Sequence, residues 1–222
     1  MSFAFVAKRF SCAEYSVVLH CGRNDDYINT ITAGFCRPFL IQAIMNFNLQ
    51  PTLENDLITV VPLKETDFEK LYAVASNPLI WEQHPNKDRY KRAVFENFFK
   101  GAMESKGAFI VYDKATGNVV GSSRYYELNE ENNSVAIGYT SIGKGFWGEG
   151  HNATLKKLML DYAFQFVDKV ILHIGATNFR SQKATEKLGA VKISEIEVAY
   201  YGEPVKWNFE YQIDKTKWMH RV

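Results

Sequence analysis

A strand, a glycine-rich turn and a helix follow one another from Ser134, and this succession constrains the fold more than any other stretch. The β-branched and aromatic residues that begin at Val135 predict the strand. Apolar residues recur at helical spacing from Leu155 to Phe166 and predict the helix. Between them lie four glycines, namely Gly143, Gly145, Gly148 and Gly150. Such a turn points backbone N–H groups and the positive end of the helix dipole at one place, which favours a phosphate or pyrophosphate ligand.

Three phosphate-binding interpretations of this turn are open, beside a turn that binds nothing. Residues 138–145 resemble a nucleoside-triphosphate loop that is one residue short, with Gly145 where such a loop needs a hydroxyl for magnesium. Residues 143–148 spell G-x-G-x-x-G, a dinucleotide signature, but the next strand ends without the carboxylate that would hold a ribose. Residues 147–152, with the sequence WGEGHN, fit a pyrophosphate loop for coenzyme A.

Composition indicates which binding partners to expect but says little about the activity of the chain. A hydrophobic content of 46% over 222 residues suits one domain, with or without an extension. The net charge of +1 gives no electrostatic reason to expect nucleic acid or an anionic membrane as a partner. No apolar run has the length of a membrane span. We therefore expect neither nucleic acid nor a membrane among the partners.

The first 44 residues differ from the rest of the chain. They contain all three cysteines (Cys12, Cys21 and Cys36), and their short apolar runs have no clear period. An odd number of cysteines indicates a reducing compartment rather than a disulfide framework, so we expect a cytoplasmic protein. No convincing signal peptide stands out. We predict that residues 1–44 are an appendage and that residues 45–222 form the domain.

The predicted elements from Leu57 onward follow the order β-α-α-β-β-β-α-β-α-β-β. A hairpin turns around Thr116 and Gly117, and a second antiparallel pair ends the domain. One β-α-β unit, which requires a parallel pair, lies between them. This mixture predicts an α/β (α+β) layered fold, with a mixed, mostly antiparallel central sheet of about seven strands flanked by about four helices.

Four stretches together resemble the GNAT acetyltransferases. Residues 136–139 and 147–152 resemble the strand and acetyl-CoA loop of that family. Residues 178–181 (NFRS) and 187–190 (KLGA) resemble signatures of the branch that acetylates ribosomal-protein N-termini and small amines. The resemblance extends over about residues 53–218. It implies the GNAT fold and direct transfer of an acetyl group from acetyl-CoA to a primary amine, without a metal.

The resemblance also implies roles for individual residues. Backbone groups at about Thr140 to Ile142 would pair with the pantetheine arm, and Asn178 would reach the cofactor from the other side. Ser181 would protonate the leaving thiolate, although Asn178 and Ser181 equally suit a helix cap. The implied cofactor-binding residues are Thr140, Ile142, Trp147, Gly148, Glu149, Gly150, His151, Asn152 and Asn178.

Departures from the family pattern leave the general base open. Ala136 occupies a position where this branch often has Glu, and Thr185 replaces a Tyr that is frequent in the wider superfamily. Glu127 on the neighbouring strand is our candidate for the base, with Glu82, His84 or water as alternatives.

A second departure lies in the loop itself. Glu149 stands where a Lys is frequent, and a carboxylate beside a pyrophosphate is unfavourable, so Lys144 or Lys156 would have to compensate. The missing Glu and Tyr also support an alternative hypothesis. In it, the chain is a catalytically degenerate domain that binds acyl-CoA as a sensor or interaction module.

The acceptor site is predicted only in outline. It would be built from residues 80–89, the hairpin and the turn at residues 200–204. Aromatic residues (Trp81, Tyr125 and Tyr201) and acidic residues (Glu82 and Glu127) at these places suit a cationic amine. Either a monomer or a homodimer is compatible with the sequence.

Overall fold

The structure is a computed structural model that describes residues 47–221. The predicted appendage, residues 1–44, lies outside the described residues. In the part that is described, no helix combines the length and the apolar character needed to cross a membrane.

The described residues form eight strands and five α-helices, one more of each than the sequence predicts. The strands are β1 (Leu53–Glu54), β2 (Ile58–Pro62), β3 (Ala108–Asp113), β4 (Val119–Asn129), β5 (Ser134–Ile142), β6 (Lys169–Gly175), β7 (Val191–Val198) and β8 (Lys206–Asp214). The helices are α1 (Phe68–Ala75), α2 (Arg92–Glu104), α3 (His151–Ala163), α4 (Phe179–Lys187) and α5 (Lys215–Met219). The sequence did not predict β1 and α5, because both are too short to display a period.

All eight strands belong to one sheet in the order β1-β2-β3-β4-β5-β6-β8-β7. Neighbouring strands are antiparallel except β5 and β6, which are parallel. The predicted mixed, mostly antiparallel sheet is therefore confirmed. The parallel pair is short, because it includes only Ser134–Ala136 of β5 opposite Lys169–Ile171 of β6. Beyond these residues the two strands separate.

Helices cover both faces of the sheet and bury two hydrophobic clusters. Leu155 and Met159 of α3 pack on one face, in a cluster with Val135 and Ile137 of β5. Phe95, Phe98 and Phe99 of α2 pack with α1 in the other cluster. The helical stripe that the sequence places on α3 is thus the face that the sheet buries.

Phe47 connects the beginning of the described chain to the core. Its ring lies 5.2 Å from that of Tyr125 and 5.4 Å from those of Tyr162 and Phe166, in edge-to-face contacts. The Tyr162 hydroxyl also donates a hydrogen bond to the carbonyl oxygen of Asn48, at 3.0 Å. These contacts make Phe47 a residue of the domain.

We expect Phe47→Ala in the full chain to lower the free energy of unfolding by about 2 kcal/mol, because three aromatic contacts are lost from a partly buried site. Urea denaturation of both proteins measures this difference. Val205→Ala, at a side chain that is exposed, should change it by less than about 0.5 kcal/mol. Equal stabilities of the Phe47 variant and the wild type would show that the domain begins later.

Candidate functional site

A cleft of about 490 Å³ lies where β5 and β6 separate. Its lining comes from β5, β6, the glycine-rich turn, the first turns of α3 and α4, and the segment between α1 and α2. Most of the predicted site residues line it, namely Thr140, Ile142, Trp147, Gly148, Gly150, Asn152, Asn178 and Ser181. The fold therefore brings the two halves of the predicted cofactor site together, although about 30 residues separate them in sequence.

The glycine-rich turn ends in two residues with left-handed backbone. Gly148 has φ +85° and Gly150 has φ +81°, values that residues with a Cβ rarely adopt. A Cβ at either position would have no atom within 4 Å, so backbone conformation and not crowding requires glycine there. The turn leads directly into α3, whose first N–H groups have no acceptor within the helix. This end of the cleft is suited to an anion.

Trp147 fastens the turn to the end of β5. Its indole N–H donates to the carbonyl oxygen of Ile142 at 2.8 Å. The guanidinium of Arg180, from α4, stacks 4.2 Å from the centre of the indole ring and donates to the carbonyl oxygen of Ile80 at 3.2 Å. Trp147 thus connects the two sides of the cleft, and Arg180 places a positive charge in its lining.

Two of the predicted cofactor-binding side chains lie elsewhere. Glu149 is exposed and is not among the described residues that line the cleft. His151 is buried, and its Nε2 lies 2.9 Å from the carboxylate of Asp113 in β3. Hydrogen bonds from His151 and Thr116 hold the pKa of Asp113 at about 2. The His151 side chain therefore anchors the start of α3 to the β3–β4 turn.

A bulge interrupts β5 beside the cleft. Gly138 pairs with Arg124 and Ser141 with Ser122, which leaves two residues of β5 opposite one residue of β4. One of the two, Tyr139, has φ +52°, which is strained for a residue with a side chain. The bulge turns backbone groups of β5 out of the ladder near Thr140. That is where the predicted pairing with pantetheine would occur.

Lys156 of α3 is buried under this bulge. Its Nζ donates to Oγ1 of Thr140 at 2.7 Å and not to Glu149, which it was expected to compensate. The Oγ1 atom of Thr140 also lies 2.8 Å from Oγ of Ser123. Burial lowers the pKa of Lys156 to about 7, because desolvation disfavours the charged amine.

Asn178 and Ser181 lie at the start of α4 on the opposite wall. The Asn178 Oδ1 accepts a hydrogen bond from the backbone N–H of Ser181 at 3.1 Å, so Asn178 caps the helix. Both side chains also line the cleft. The cap uses only the oxygen of the amide, which leaves the two N–H groups of Asn178 as donors for a ligand.

The candidate general bases from the sequence lie in different environments, and none has a free lone pair in the described lining. Glu127 has a side chain that is 64% exposed, and Glu82 is exposed as well; neither belongs to the described lining. His84 lines the cleft, but its Nε2 lies 3.0 Å from Nη1 of Arg89. Because a guanidinium only donates, the Nε2 lone pair of His84 is occupied. Burial and Arg89 also lower the pKa of His84 well below its usual value.

The end of the cleft near residues 80–89 and Tyr200, where the acceptor amine was predicted to bind, also differs from the prediction. We call it the acceptor end. Trp81 lines it as expected. Tyr125 instead points into the core, where its hydroxyl donates to the carbonyl oxygen of Met159. Tyr201 lies at the surface, where its hydroxyl donates to Glu104 at 3.0 Å. Since the described lining includes no Asp or Glu, the expected acidic pocket for a cationic amine is not found among these residues.

Four further residues line the cleft, namely Arg89, Tyr126, His173 and Tyr200. Arg89, Tyr126 and Tyr200 belong to the segments predicted for the acceptor site, although none of them was assigned a role, whereas His173 was not predicted. Arg89 is fully buried and forms an ion pair with Glu203 at 2.7 Å. His173 offered the clearest signal, because it is a polar residue within the apolar run of β6.

Comparison with known proteins identifies a family and a fold. The family described as "Acetyltransferase (GNAT) domain" matches residues 58–191, more than half of the chain. No curated protein sequence matches the chain significantly.

Solved structures with the same fold are numerous. A GCN5-related N-acetyltransferase from Brucella melitensis has a TM-score of 0.67 at 18% identity, over 77% of this chain and 81% of that one. A spermidine N-acetyltransferase from Vibrio cholerae, solved with CoA and spermine, has a TM-score of 0.57 at 19% identity, over 74% and 99%. A GNAT-family acetyltransferase from Bacillus anthracis has a TM-score of 0.56 at 15% identity, over 75% and 99%.

We expect Lys156→Met to stabilise the protein most at pH 6 and least near pH 10. Below pH 7 the wild type buries a charged amine, at a cost on the order of 1.4 kcal/mol for each unit by which burial lowers the pKa. Between pH 7 and 10.5 only the unfolded chain keeps that proton, so the stability of the wild type rises with pH.

Urea denaturation of both proteins at pH 6, 8 and 10 measures this difference. Lys157→Met, at the exposed neighbouring lysine, is the control and should show no such trend. A constant difference between wild type and Lys156→Met across the three pH values would contradict the lowered pKa.

Proposed function

The chain belongs to the GNAT acetyltransferase family, and from that premise we propose that it transfers an acetyl group from acetyl-CoA to a primary amine. The transfer is direct, within a ternary complex of enzyme, acetyl-CoA and amine. The observation that carries the proposal is the position of the glycine-rich turn. It opens into the cleft where β5 and β6 separate, so one cleft offers both an anion site and unpaired strand backbone.

The cofactor would occupy the cleft along its length. Backbone N–H groups from Gly148 to Asn152 would hold the pyrophosphate, and Arg180 adds a positive charge beside them. Backbone groups from Thr140 to Ile142 would pair with the pantetheine arm, opposite the free amide N–H groups of Asn178. Because the lysine under the bulge donates to Thr140, this part of β5 is held in place before the cofactor binds.

The protein must assist three steps of the reaction. The neutral amine attacks the thioester carbon, the carbonyl oxygen gains negative charge, and the thiolate leaves with a proton. Backbone N–H groups at the bulge of β5 would stabilise the oxyanion. Ser181, in the first turn of α4, would return the proton to the thiolate.

The acceptor is a small amine or a protein N-terminus. The similar fold of a spermidine N-acetyltransferase supports an amine acceptor in general. Residues 45–222 constitute the proposed catalytic domain, and we propose a cytoplasmic location for it. The competing function, an acyl-CoA sensor without transfer, draws its support from Ala136 and from the position of Glu127 outside the described lining.

We expect acetyl-CoA at about a hundred times its Kd to add about 2.7 kcal/mol of stability, a rise in Tm of about 5–10 °C. Gly150→Val should abolish this rise, because valine strongly disfavours the left-handed backbone of the turn. Gly117→Val is the matched control, since Gly117 has φ +69°, also has open space around it and lies in the β3–β4 turn. Thermal unfolding with acetyl-CoA, CoA, NADH and ATP measures the shifts; a shift with NADH alone would contradict the proposal.

A second prediction separates transfer from sensing. Thiol release from acetyl-CoA, measured over polyamines, aminoglycosides, amino acids and N-terminal peptides, should be positive for at least one amine. Asn178→Asp keeps a helix cap but replaces the amide donors by a carboxylate, so it should weaken acetyl-CoA binding at least tenfold at unchanged Tm. Tight binding of acetyl-CoA without thiol release for any amine would favour the sensor.

A further inference from the structure

Three side chains form a hydrogen-bonded chain across the sheet at the acceptor end of the cleft. The Tyr126 hydroxyl of β4 lies 3.0 Å from Nδ1 of His173 in β6. The Nε2 of His173 lies 3.3 Å from a carboxylate oxygen of Glu210 in β8. Tyr126 and His173 both line the cleft, and the His173 side chain is only 6% exposed. The three residues lie on three different strands and are far apart in the sequence.

The strand register places this chain on the face that carries Ala136. Tyr126 is directly opposite Ala136, and Ala136 is directly opposite Ile171. His173 follows Ile171 by two residues and is opposite Glu210. Because paired residues, and residues two apart on a strand, point to the same side of a sheet, these side chains share one face. Ala136 is the position where the resembling branch often has its Glu.

A glycine on β5 allows Tyr126 to reach across that strand. A Cβ at Gly138 would lie 2.9 Å from the Tyr126 ring and 3.0 Å from its hydroxyl oxygen. Gly138 therefore leaves the space through which Tyr126 contacts His173. Ala136 is two residues earlier on the same face and carries no carboxylate, so the contact forms where the usual base is missing.

The hydrogen bonds assign the proton positions. An ionised carboxylate only accepts, so the contact with Glu210 places the proton of a neutral His173 on Nε2. The Nδ1 lone pair then accepts from the Tyr126 hydroxyl. A carboxylate oxygen of Glu127 in β4 lies 3.9 Å from Nδ1, so carboxylates face the imidazole ring from two strands. Burial raises the pKa of Tyr126 well above its usual value, so the phenol stays protonated.

We propose that Tyr126 and His173 act as the proton relay of the acetyl transfer, with Glu210 as the residue that positions His173. This rests on the proposed function. As the amine nitrogen bonds to the thioester carbon, one of its protons passes to the Tyr126 oxygen, and the Tyr126 proton passes to Nδ1 of His173. The carbonyl double bond re-forms as the carbon–sulfur bond breaks, and the sulfur takes a proton from Ser181 or water, which regains a proton from solvent. His173 then releases its extra proton to solvent, which restores the relay.

The proposed roles of Glu210 and His173 are those of other carboxylate–histidine pairs in enzymes. The carboxylate fixes the tautomer and the ring orientation and stabilises the imidazolium, while the other ring nitrogen moves the proton. The relay supplies a base that is absent at Ala136 and that His84 cannot supply while Arg89 occupies its lone pair. The expected contribution is that of general base catalysis, about 100-fold to 10,000-fold in rate.

The test compares His173→Gln, Tyr126→Phe and the double variant with the wild type, in the full chain and with the best amine of the acceptor panel. Each single variant should lower kcat about 100-fold or more, with the Kd for acetyl-CoA changed less than threefold. The double variant should be no more than about threefold slower than the slower single variant, because the two residues act as one unit. Glu210→Gln should move the acid limb of the kcat/KM profile to lower pH, since the imidazolium loses a neighbouring negative charge.

Tyr125→Phe is the matched control, because it removes a tyrosine hydroxyl from the adjacent residue on the opposite face. It should keep kcat within about threefold of the wild type. Unchanged Tm and acetyl-CoA affinity show that each variant is folded. An active wild type together with a His173→Gln variant of equal kcat, or losses that multiply in the double variant, would overturn the relay alone. A wild type that binds acetyl-CoA but acetylates no amine would overturn the proposed function and the relay together.

Discussion

β5 and β6 pair as parallel strands only at their beginnings and then separate, and this separation produces the cleft. Two parallel strands that pair over only three residues leave the backbone of each strand without its neighbour along the remaining length. Buried backbone polar groups require partners, and a bound chain with amide groups can provide them. The crossover through α3 places a helix N-terminus at one end of this cleft.

The walls of the cleft are held by contacts that need no ligand. Trp147 ties the glycine-rich turn to Ile142, and His151 ties the start of α3 to Asp113. Lys156 supports the bulge of β5 through Thr140 at the expense of a buried amine. These interactions order the site in advance, which reduces the entropy that binding must overcome.

The sequence lacks the Glu that the family often has at position 136, but the structure has other side chains near that position that can move a proton. Ala136 lacks the Glu of the resembling branch, and Gly138, two residues later in β5, leaves space for the Tyr126 ring. Tyr126 uses this space to contact His173, whose other nitrogen contacts Glu210. If position 136 alone is compared with the family pattern, the site looks degenerate because the usual Glu is missing. The space and the hydrogen-bond partners for a proton relay are nevertheless present.

Most of the elements and the type of fold follow from the sequence alone, because helical and strand periods are local and a cluster of glycines marks a turn. The two shortest elements, β1 and α5, do not. The sequence also identified most of the cleft-lining residues near that turn, through a resemblance that resides in contiguous motifs. It could not decide which way alternating side chains of a strand point, so Tyr125 was expected in the cleft and Tyr126 was not assigned. Only the tertiary structure settled this, since the register of β4, β5 and β6 brings Tyr126, His173 and Glu210 onto one face from positions that are far apart in the chain.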